Sequence, residues 1–479
     1  MTGVSDGEIG IPLVVDLDGT LTLTDTLYES FAKFLFRNPA AAVAGLRYLV
    51  RGPAAVKRTI AAQCRPDPAT LPYRAELIEM IKAEKARGRA IHLVTAADQA
   101  IADDVARHLG LFETAAGSDG RVNLKGPNKL AYLRKTFPGG FIYAGDGSAD
   151  LPVFTDAQGV ILCDVAGSVA ARIAQAGVPI VATLRRPRNL AQAWLRAFRV
   201  HQWAKNLLLF VPLFVGHAFG DPKAIASCAI GFALLCLLSS ATYILNDLSD
   251  LDADRAHGSK RLRPFARGDL KIVHGLIAAP AMIVAALAGA LALSPPFPAA
   301  LAAYFILTTV YSFGLKRVAL LDVFAIGLLF TLRIVMGAEI AGLTHSAWLL
   351  SFALSFFISL ALSKRHGEVM SASADAAEIA GRGYRGADWP VTLSFGIGIG
   401  LVSVVIMLLY MTNDAAPSGF YHNPGLLYAI PALLTLWLMR IWLLSHRMEL
   451  HDDPVVFALR DRASLSLGLA VAIAFYLAL

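Results

Sequence analysis

From residue 204 to residue 479 the chain carries nine apolar stretches of spanning or near-spanning length, at about 204–220, 223–246, 272–293, 297–313, 318–341, 346–363, 390–411, 425–443 and 461–479. No other feature restricts the fold so strongly. In lipid every backbone N–H and C=O must be satisfied within its own segment, so repeated apolar runs of about 20 residues predict a bundle of transmembrane helices. The chain as a whole is 56% hydrophobic and 16% charged, whereas ordinary soluble domains carry about 25% charge. The apolar excess lies after residue 200. The expected architecture is an N-terminal α/β domain (1–183), a basic amphipathic connector (184–203) and an all-α bundle of nine transmembrane helices (204–479).

Charge placement orients the bundle. The loops at 247–271, 314–317, 364–389 and 440–462 hold sixteen Lys and Arg, whereas the opposite loops hold only Lys223. Lys and Arg favour the cytoplasmic side, so these loops and the first domain are expected in the cytoplasm and the protein in the inner (plasma) membrane. The net charge of +7 is thereby assigned to membrane loops, and no nucleic-acid partner is expected. In the connector, Arg185, Arg186, Arg188, Arg196 and Arg199 interleave with Leu190, Trp194, Leu195, Phe198 and Trp203, a pattern that suits a helix lying at the membrane interface and also a solvated linker. Residues 1–10 are polar and acidic, so no signal peptide is read there. Cys64, Cys163, Cys228 and Cys236 show no redox or metal-ligand spacing and read as small apolar residues.

At the end of the second span stands Asn-Asp-Leu-Ser-Asp-Leu-Asp-Ala-Asp, residues 246–254. Asn246, Asp247, Asp250 and Asp254 fall within roughly 100° of one another on a helix, and Asp252 points the other way. Three carboxylates crowded together repel unless a cation lies between them, and hard oxygen ligands suit magnesium with substrate phosphates. Lys260, Arg261 and Arg263 follow, bases suited to phosphate oxygens. The EF-hand Gly and terminal Glu are absent. The segment predicts a magnesium–diphosphate site; the plainer alternative is an interfacial loop of scattered charges. Other polar groups stand at span ends or inside spans: Lys205 and Asn206, Tyr311 and Lys316, Asp322 and Arg333, and Lys364 with Arg365 and Glu368. Asp322 and Arg333 are three helical turns apart, about 16 Å, too far to pair with each other. Each is expected to face a polar cavity, with a structural role as the alternative.

The first domain has its own chemistry. Ile11–Val15 is a short apolar strand that ends in Asp16-Leu17-Asp18-Gly19-Thr20. Two carboxylates delivered into a glycine turn can act as nucleophile on phosphorus (Asp16) and as general acid/base (Asp18). Ile91–Thr95 is a second strand that ends in a hydroxyl. Lys129, or else Lys125, can neutralise phosphate charge. A third strand, Phe141–Ala144, leads into Gly145-Asp146-Gly147-Ser148-Ala149-Asp150, which offers two acids for magnesium. Strands alternating with helical stretches at Tyr73–Arg87 and Asp98–Leu109 imply a doubly wound parallel sheet, with ligands at the carboxyl ends of its strands. Over residues 10–183 this order resembles the haloacid dehalogenase superfamily of phosphatases. The resemblance implies that Asp16, Asp18, Asp146 and Asp150 serve magnesium and that residues 25–85 form a helical cap.

The bundle, with its 246–254 motif and Arg263-Pro264, resembles the UbiA superfamily of intramembrane prenyltransferases over residues 200–479. In that family the first aspartate motif binds magnesium and a diphosphate leaving group, and most members have a second Asp-x-x-x-Asp motif. Here the equivalent region offers Asp322 alone, followed by Ala325 and Ile326. Gln202-Trp203-x-Lys205-Asn206, Lys260-Arg261-x-Arg263-Pro264, Tyr311-Ser312-x-x-Leu315-Lys316 with Leu321-Asp322-Val323, Lys364-Arg365, and Asp453-Pro454-Val455-Val456-Phe457-Ala458 are similar to the decaprenyl-phosphate phosphoribosyltransferases. That resemblance implies phosphoribosyl pyrophosphate as donor and a polyprenyl phosphate as acceptor. The fused phosphatase domain is then expected to remove the 5-phosphate and leave polyprenyl-phosphoryl ribose. Two other readings stay open: a prenyltransferase that moves a polyprenyl group from its diphosphate to an aromatic or other acceptor, and a membrane scaffold or transporter that carries a phosphatase. Chain length of the lipid and oligomeric state are open.

Overall fold

The computed structural model describes residues 10–45, 52–187, 189–372, 379, 381–450 and 453–479; Arg188 of the connector lies outside them. Six strands, β1 (Leu13–Val15), β2 (Ile91–Asp98), β3 (Thr114–Ser118), β4 (Ile142–Gly145), β5 (Gly159–Cys163) and β6 (Ile180–Leu184), form one sheet in the order β3-β2-β1-β4-β5-β6. Every pairing is parallel. Side chains alternate across it: Leu13 and Val15 enter one core with Ile91 and Leu93, and Val14 enters the other with Tyr143 and Phe154. Both faces are covered at β1, β4 and β5, which is why those strands are apolar. Val15 pairs with Ala144, so Asp16 and Asp146 leave neighbouring strands at the same carboxyl edge.

Between β1 and β2 run α1 (Thr26–Arg37), α2 (Pro39–Gly45), α3 (Pro53–Gln63) and α4 (Ala75–Ala86). The Asp25 carboxylate caps α1 by accepting from the Leu27 and Tyr28 amides, which satisfies otherwise orphaned donors. The other helices of this region are α5 (Gln99–Leu109), α6 (Pro127–Thr136), α7 (Leu151–Asp156), α8 (Gly167–Gln175) and α9 (Leu190–Ala197).

Beyond α9 a 3₁₀ run, Val200–Phe210, leads into the short α10 (Val211–Val215). Then come α11 (Pro222–Ser249), α12 (Leu251–Ala256), α13 (Pro264–Arg267), α14 (Ile272–Ala290), α15 (Pro296–Phe313), α16 (Leu321–Ala341), α17 (Ala347–Ser371), α18 (Trp389–Tyr410), α19 (Ala429–His446), α20 (Pro454–Ala458) and α21 (Arg462–Ala478). The nine expected spans reduce among the described residues to seven helical segments long and apolar enough to cross a membrane. The last expected span is a helix of 17 residues, apolar but short. The first is broken: it divides at Phe210/Val211, with Pro212 in the first turn of α10. A proline suits a helix start, where its missing N–H costs no bond, and it cannot continue a helix from the preceding turn. The protein is a multi-pass membrane protein with an N-terminal parallel α/β domain and a helical bundle.

By contact the chain forms two compact units. One comprises Met1–Phe198 with Tyr243–Ala279, the other Arg199–Thr242 with Pro280–Leu479. In the second unit Leu209, Leu213, Leu235, Leu238, Phe297, Leu301 and Met336 share a core, and Phe330, Ile334, Phe357, Leu438 and Ile441 share another. Close approach is set by small residues. A Cβ on Gly337 would lie 1.9 Å from the Leu209 carbonyl oxygen, whereas Gly398 faces open space. Gly337→Val is expected to destabilise the bundle by about 1–3 kcal/mol, the usual range for overpacking. Gly398→Val should leave the midpoint of thermal unfolding in detergent within about a degree, a shift set by ΔΔG over the unfolding entropy.

Candidate active sites

The carboxyl edge of the sheet collects the first site. Asp16 follows β1, Asp146 follows β4, and Asp150 ends the 3₁₀ turn Ser148–Asp150. One carboxylate oxygen from each lies within 4.8 Å of the others, the one such acidic set among the described residues. Lys129, on α6 and almost fully buried, places Nζ 3.1 Å from Asp16 and 3.0 Å from Asp150, and donates to the Tyr143 hydroxyl at 2.8 Å. Lys125 is exposed, so Lys129 is the lysine that reaches the acids. Asp18 accepts the Thr26 amide at 2.8 Å and is thereby tied to the start of α1. Thr95 is fully buried inside β2 rather than at its end, and its hydroxyl accepts the Ala97 amide at 3.0 Å. Gly19 has φ +75°, and a Cβ there would fall 2.1 Å from Asp146 Oδ2; the turn needs glycine for both reasons.

One lysine does not balance three carboxylates, two of them buried and the third, Asp146, half-buried. Burial pushes the Asp16 carboxyl up to about 6, with Lys129 opposing and Asp150 adding. Burial, then repulsion from Asp16 and Asp150, pushes Asp146 up to about 7. Asp18 is raised well above its ordinary value by burial and then by Asp25. Asp16 Oδ1 is buried, with the Lys129 ammonium at 3.1 Å as its charged neighbour. Excess negative charge and three hard oxygen donors fit a divalent cation held by Asp16, Asp146 and Asp150.

Two basic residues at this site carry no signal in the sequence. Arg74, 1% exposed, donates to the Gly19 and Thr20 carbonyls and to Asp164, which braces the turn that holds Asp18. Lys57, on α3, donates to the Ala96 carbonyl at 2.6 Å and to Asn123 at 2.9 Å. Burial lowers its pKa, with Asp18 and Asp25 opposing. Both lie in stretches where the sequence offers only scattered charges.

The 246–254 segment is not one helix. α11 stops at Ser249, Asp250 leaves helical geometry (φ −105°, ψ 17°), and α12 begins at Leu251. Backbone bonds from the Asp250 amide to the Asn246 carbonyl and from the Asp254 amide to the Asp250 carbonyl carry across the kink. Asp247 and Asp254 are both buried and are bridged by Arg263, whose NH1 lies 3.2 Å from Asp247 and 2.6 Å from Asp254. Burial raises the Asp254 pKa, with Arg263 opposing. Asn246 and Asp250 are half-buried, and Asp250 accepts the Ser249 hydroxyl. A guanidinium thus occupies the position between two acids where a metal was expected. For a magnesium ion, the oxygens of Asn246, Asp247, Asp250 and Asp254 are the donors that fit, and both oxygens of Asp254 also accept from Arg263. Lys260 and Arg261 lie exposed on the 3₁₀ turn Lys260–Leu262.

In the second unit the expected cavity residues are bonded into the packing. Asp322 is fully buried, 2.6 Å from Arg365 Nε, and accepts the Tyr384 hydroxyl at 2.7 Å. It does not pair with Arg333, as its separation required, but it does form a buried ion pair, with α17. That corrects the expectation of a polar cavity: a charged group in a dry interior persists when a neighbouring helix supplies its counter-charge. Arg333 is also buried, and donates to Asn206 Oδ1 at 2.9 Å, the Leu329 carbonyl at 2.5 Å and the Tyr304 hydroxyl at 2.8 Å. Asn206 is held in turn by Cys236 and Ser239. Lys205 pairs with Asp453 at 2.7 Å, and the Asp453 carboxyl is held below its ordinary value, burial opposing, by Lys205 and then Lys364. Tyr311 accepts from Arg382 at 3.4 Å, Arg365 also meets Glu368, and Lys316 is half-buried at the end of the turn after α15.

Together these features define a membrane-embedded helical protein that carries a phosphoryl-transfer type of α/β domain. Residues 209–466 match the UbiA prenyltransferase family, and residues 13–155 match the haloacid dehalogenase-like hydrolases. The chain belongs to the UbiA prenyltransferase family and has an N-terminal haloacid dehalogenase-like domain. The uncharacterized protein y4nM of Sinorhizobium fredii is 46% identical over 98% of this chain and 91% of its own length. The nodulation protein NoeC of Azorhizobium caulinodans is 32% identical over 59% of this chain and 92% of its own. The decaprenyl-phosphate phosphoribosyltransferase of Corynebacterium glutamicum is 35% identical over 38% of this chain and 57% of its own. A UbiA homologue from Archaeoglobus fulgidus, solved with DMAPP and Mg2+, superposes with a TM-score of 0.45 at 16% identity over 60% of this chain and 97% of its own.

The buried pair in the second unit makes a sharp expectation. Asp322→Ala leaves Arg365 charged in a dry setting and should cost about 3–5 kcal/mol, read as a lower midpoint of thermal unfolding. Exposed Lys260→Ala should stay within about 0.5 kcal/mol.

Proposed function

We propose that this chain transfers 5-phosphoribose from phosphoribosyl pyrophosphate to a polyprenyl (decaprenyl) phosphate, and that its first domain then removes the 5-phosphate to give polyprenyl-phosphoryl ribose. The observation that carries the reading is the state of Asp322. With Arg365 and Tyr384 on its two oxygens, and Ala325 and Ile326 after it, Asp322 offers no second acidic pair to a prenyl diphosphate among the described residues. One acidic set, at 246–254, remains for a diphosphate. The similarity to decaprenyl-phosphate phosphoribosyltransferases, 29–35% identical over 190–197 residues, supports the same reading.

In the transfer step the lipid phosphate oxygen forms the new bond to C1 of the ribose as the C1–O bond to pyrophosphate breaks. Mg2+, when bound by Asn246, Asp247, Asp250 and Asp254, supplies charge for the departing pyrophosphate. Lys260 and Arg261 are free to donate to phosphate oxygens, whereas Arg263 holds Asp247 and Asp254 in place. Lys205, Tyr311, Lys316 and Lys364 are assigned to the substrate phosphates, with Arg365, Asp322 and Arg333 fixing their surroundings. In the dephosphorylation step an Asp16 oxygen attacks phosphorus, and the departing ribose oxygen takes the proton that Asp18 holds. Water then attacks the aspartyl phosphate and gives a proton to Asp18, and inorganic phosphate leaves. Thr95 and Lys129 stabilise the phosphoryl oxygens. A raised Asp18 pKa suits a carboxyl that must arrive protonated.

The lysine and arginine bias of the loops supports a cytoplasmic first domain, cytoplasmic site loops and a plasma-membrane location. In this reading residues 1–183 are the phosphatase domain with a cap at 25–85, residues 184–203 the connector and residues 204–479 the transferase.

Purified protein given Mg2+, polyprenyl phosphate and phosphoribosyl pyrophosphate labelled at the 5-phosphate should yield an unlabelled ribosyl lipid and labelled inorganic phosphate. Asp16→Asn should accumulate the labelled phosphoribosyl lipid, and Asp250→Ala should abolish lipid product, both identified by mass spectrometry. Turnover of a polyprenyl diphosphate in place of the sugar diphosphate would sink the proposal.

A further inference from the structure

Four residues that the reactions above do not use bind the phosphatase helix α1 to the transferase motif. Glu29, on α1, is fully buried. Both its oxygens accept from Arg255 on α12, at 2.7 and 2.9 Å. This is the planar two-point geometry in which arginine and carboxylate bind most strongly. Lys33, one turn further along α1, lies 2.7 Å from Asp252, and the other Asp252 oxygen accepts the Thr70 hydroxyl at 2.9 Å. Asp252 is the acid that points away from the rest of its motif, and here it has a use.

Arg255 does more than pair. Its Nε donates to the Ala266 carbonyl of α13 at 3.0 Å. Arg263, which enters α13, is the group that bridges Asp247 and Asp254. Arg255 therefore clamps α12 to α13 on one side while Arg263 joins them on the other, and Glu29 orients the clamp. A second contact lies nearby. Gly268 ends α13 at φ +78°, where a Cβ would sit 2.8 Å from the Leu23 carbonyl oxygen, and Arg186 donates to the Gly268 carbonyl at 3.0 Å. Leu23 lies between Asp18 and Asp25, and α1 itself starts at the amide that Asp18 accepts.

We propose that Glu29, a residue of the phosphatase domain, is a positioning residue for the transferase aspartates: acting through Arg255 it holds α12 and α13 in the arrangement that presents Asp247 and Asp254 to a divalent cation. The proposal rests on the function assigned above to the 246–254 segment, and goes beyond it in making the transferase site depend on the other domain. A buried partner of a ligand-bearing element tunes metal affinity by about 10- to 100-fold when removed.

The test uses the full chain in lipid nanodiscs. Glu29→Gln keeps shape and loses the charge. It should raise the Mg2+ concentration for half-maximal pyrophosphate release about tenfold, and leave hydrolysis of p-nitrophenyl phosphate within about twofold. Arg255→Lys keeps the charge and loses the fork; it should shift Mg2+ dependence similarly, and the double variant should be no worse than either single, since both remove one interaction. Lys33→Ala, at the half-exposed arm, should act in the same direction and more weakly. Parallel loss of both activities with a lower unfolding midpoint, additive effects in the double variant, or an unchanged Mg2+ dependence overturns the proposal. A second readout needs no substrate. In an Asp16→Asn/Asp146→Asn background, Mn2+ binding followed by electron paramagnetic resonance should weaken about tenfold on Glu29→Gln. If sugar diphosphate gives no pyrophosphate while that shift is present, the assigned reaction fails and the positioning role stands. If Mn2+ affinity is unchanged, the positioning role fails whatever the substrate.

Discussion

Carboxylates held out of water need a cation within bonding distance, and each acidic feature of this protein is built around that need. A buried, unpaired charge is far more costly than a buried pair. Lys129 stands between Asp16 and Asp150, Arg263 between Asp247 and Asp254, Arg255 on Glu29, Arg365 on Asp322 and Lys205 on Asp453. All five of these cations come from a different element than the acids they serve, and so staple elements together. Arg263 approaches its two acids from across the loop that α12 opens.

The balance differs from place to place, and the difference separates site from scaffold. Asp322 and Arg365 cancel, with Tyr384 and Glu368 completing their bonds. At the sheet edge three acids face one lysine, and the surplus negative charge appears as raised carboxyl pKa values at Asp16 and Asp146. That surplus is the electrostatic condition for holding a divalent cation. The 246–254 segment lies between the two cases, with two acids already bridged and Asp250 half-buried beside them.

Much of the fold was legible along the chain, because the relevant patterns are local. Apolar runs report helices that cross lipid, and strand–turn–helix alternation with Asp16, Lys129, Asp146 and Asp150 at strand and helix ends reports a parallel sheet with its ligands at one edge. The misses have physical causes. Hydropathy cannot distinguish a spanning helix from an apolar 3₁₀ run broken near Pro212, and among the described residues nine expected spans became seven long helical segments with a shorter eighth. Helical periodicity places Asn246 through Asp254 on one face but reports neither the kink at Asp250 nor the Arg263 guanidinium between Asp247 and Asp254. Arg74, Lys57 and Glu29 are scattered charges in sequence, indistinguishable from solvated ones.

What the sequence by itself determined is the kind of protein and the inventory of reactive groups: a multi-pass bundle of the UbiA family, an α/β domain with acids placed for phosphoryl chemistry, and a cluster of acids followed by bases after the second apolar run. Local composition and spacing carry that information. What only the tertiary structure decided is which charges cancel and which remain. Asp322 finds its partner 43 residues away and Arg255 finds its own 226 residues away. Pairing in a dry interior depends on distances of a few ångströms between groups that no sequence interval specifies.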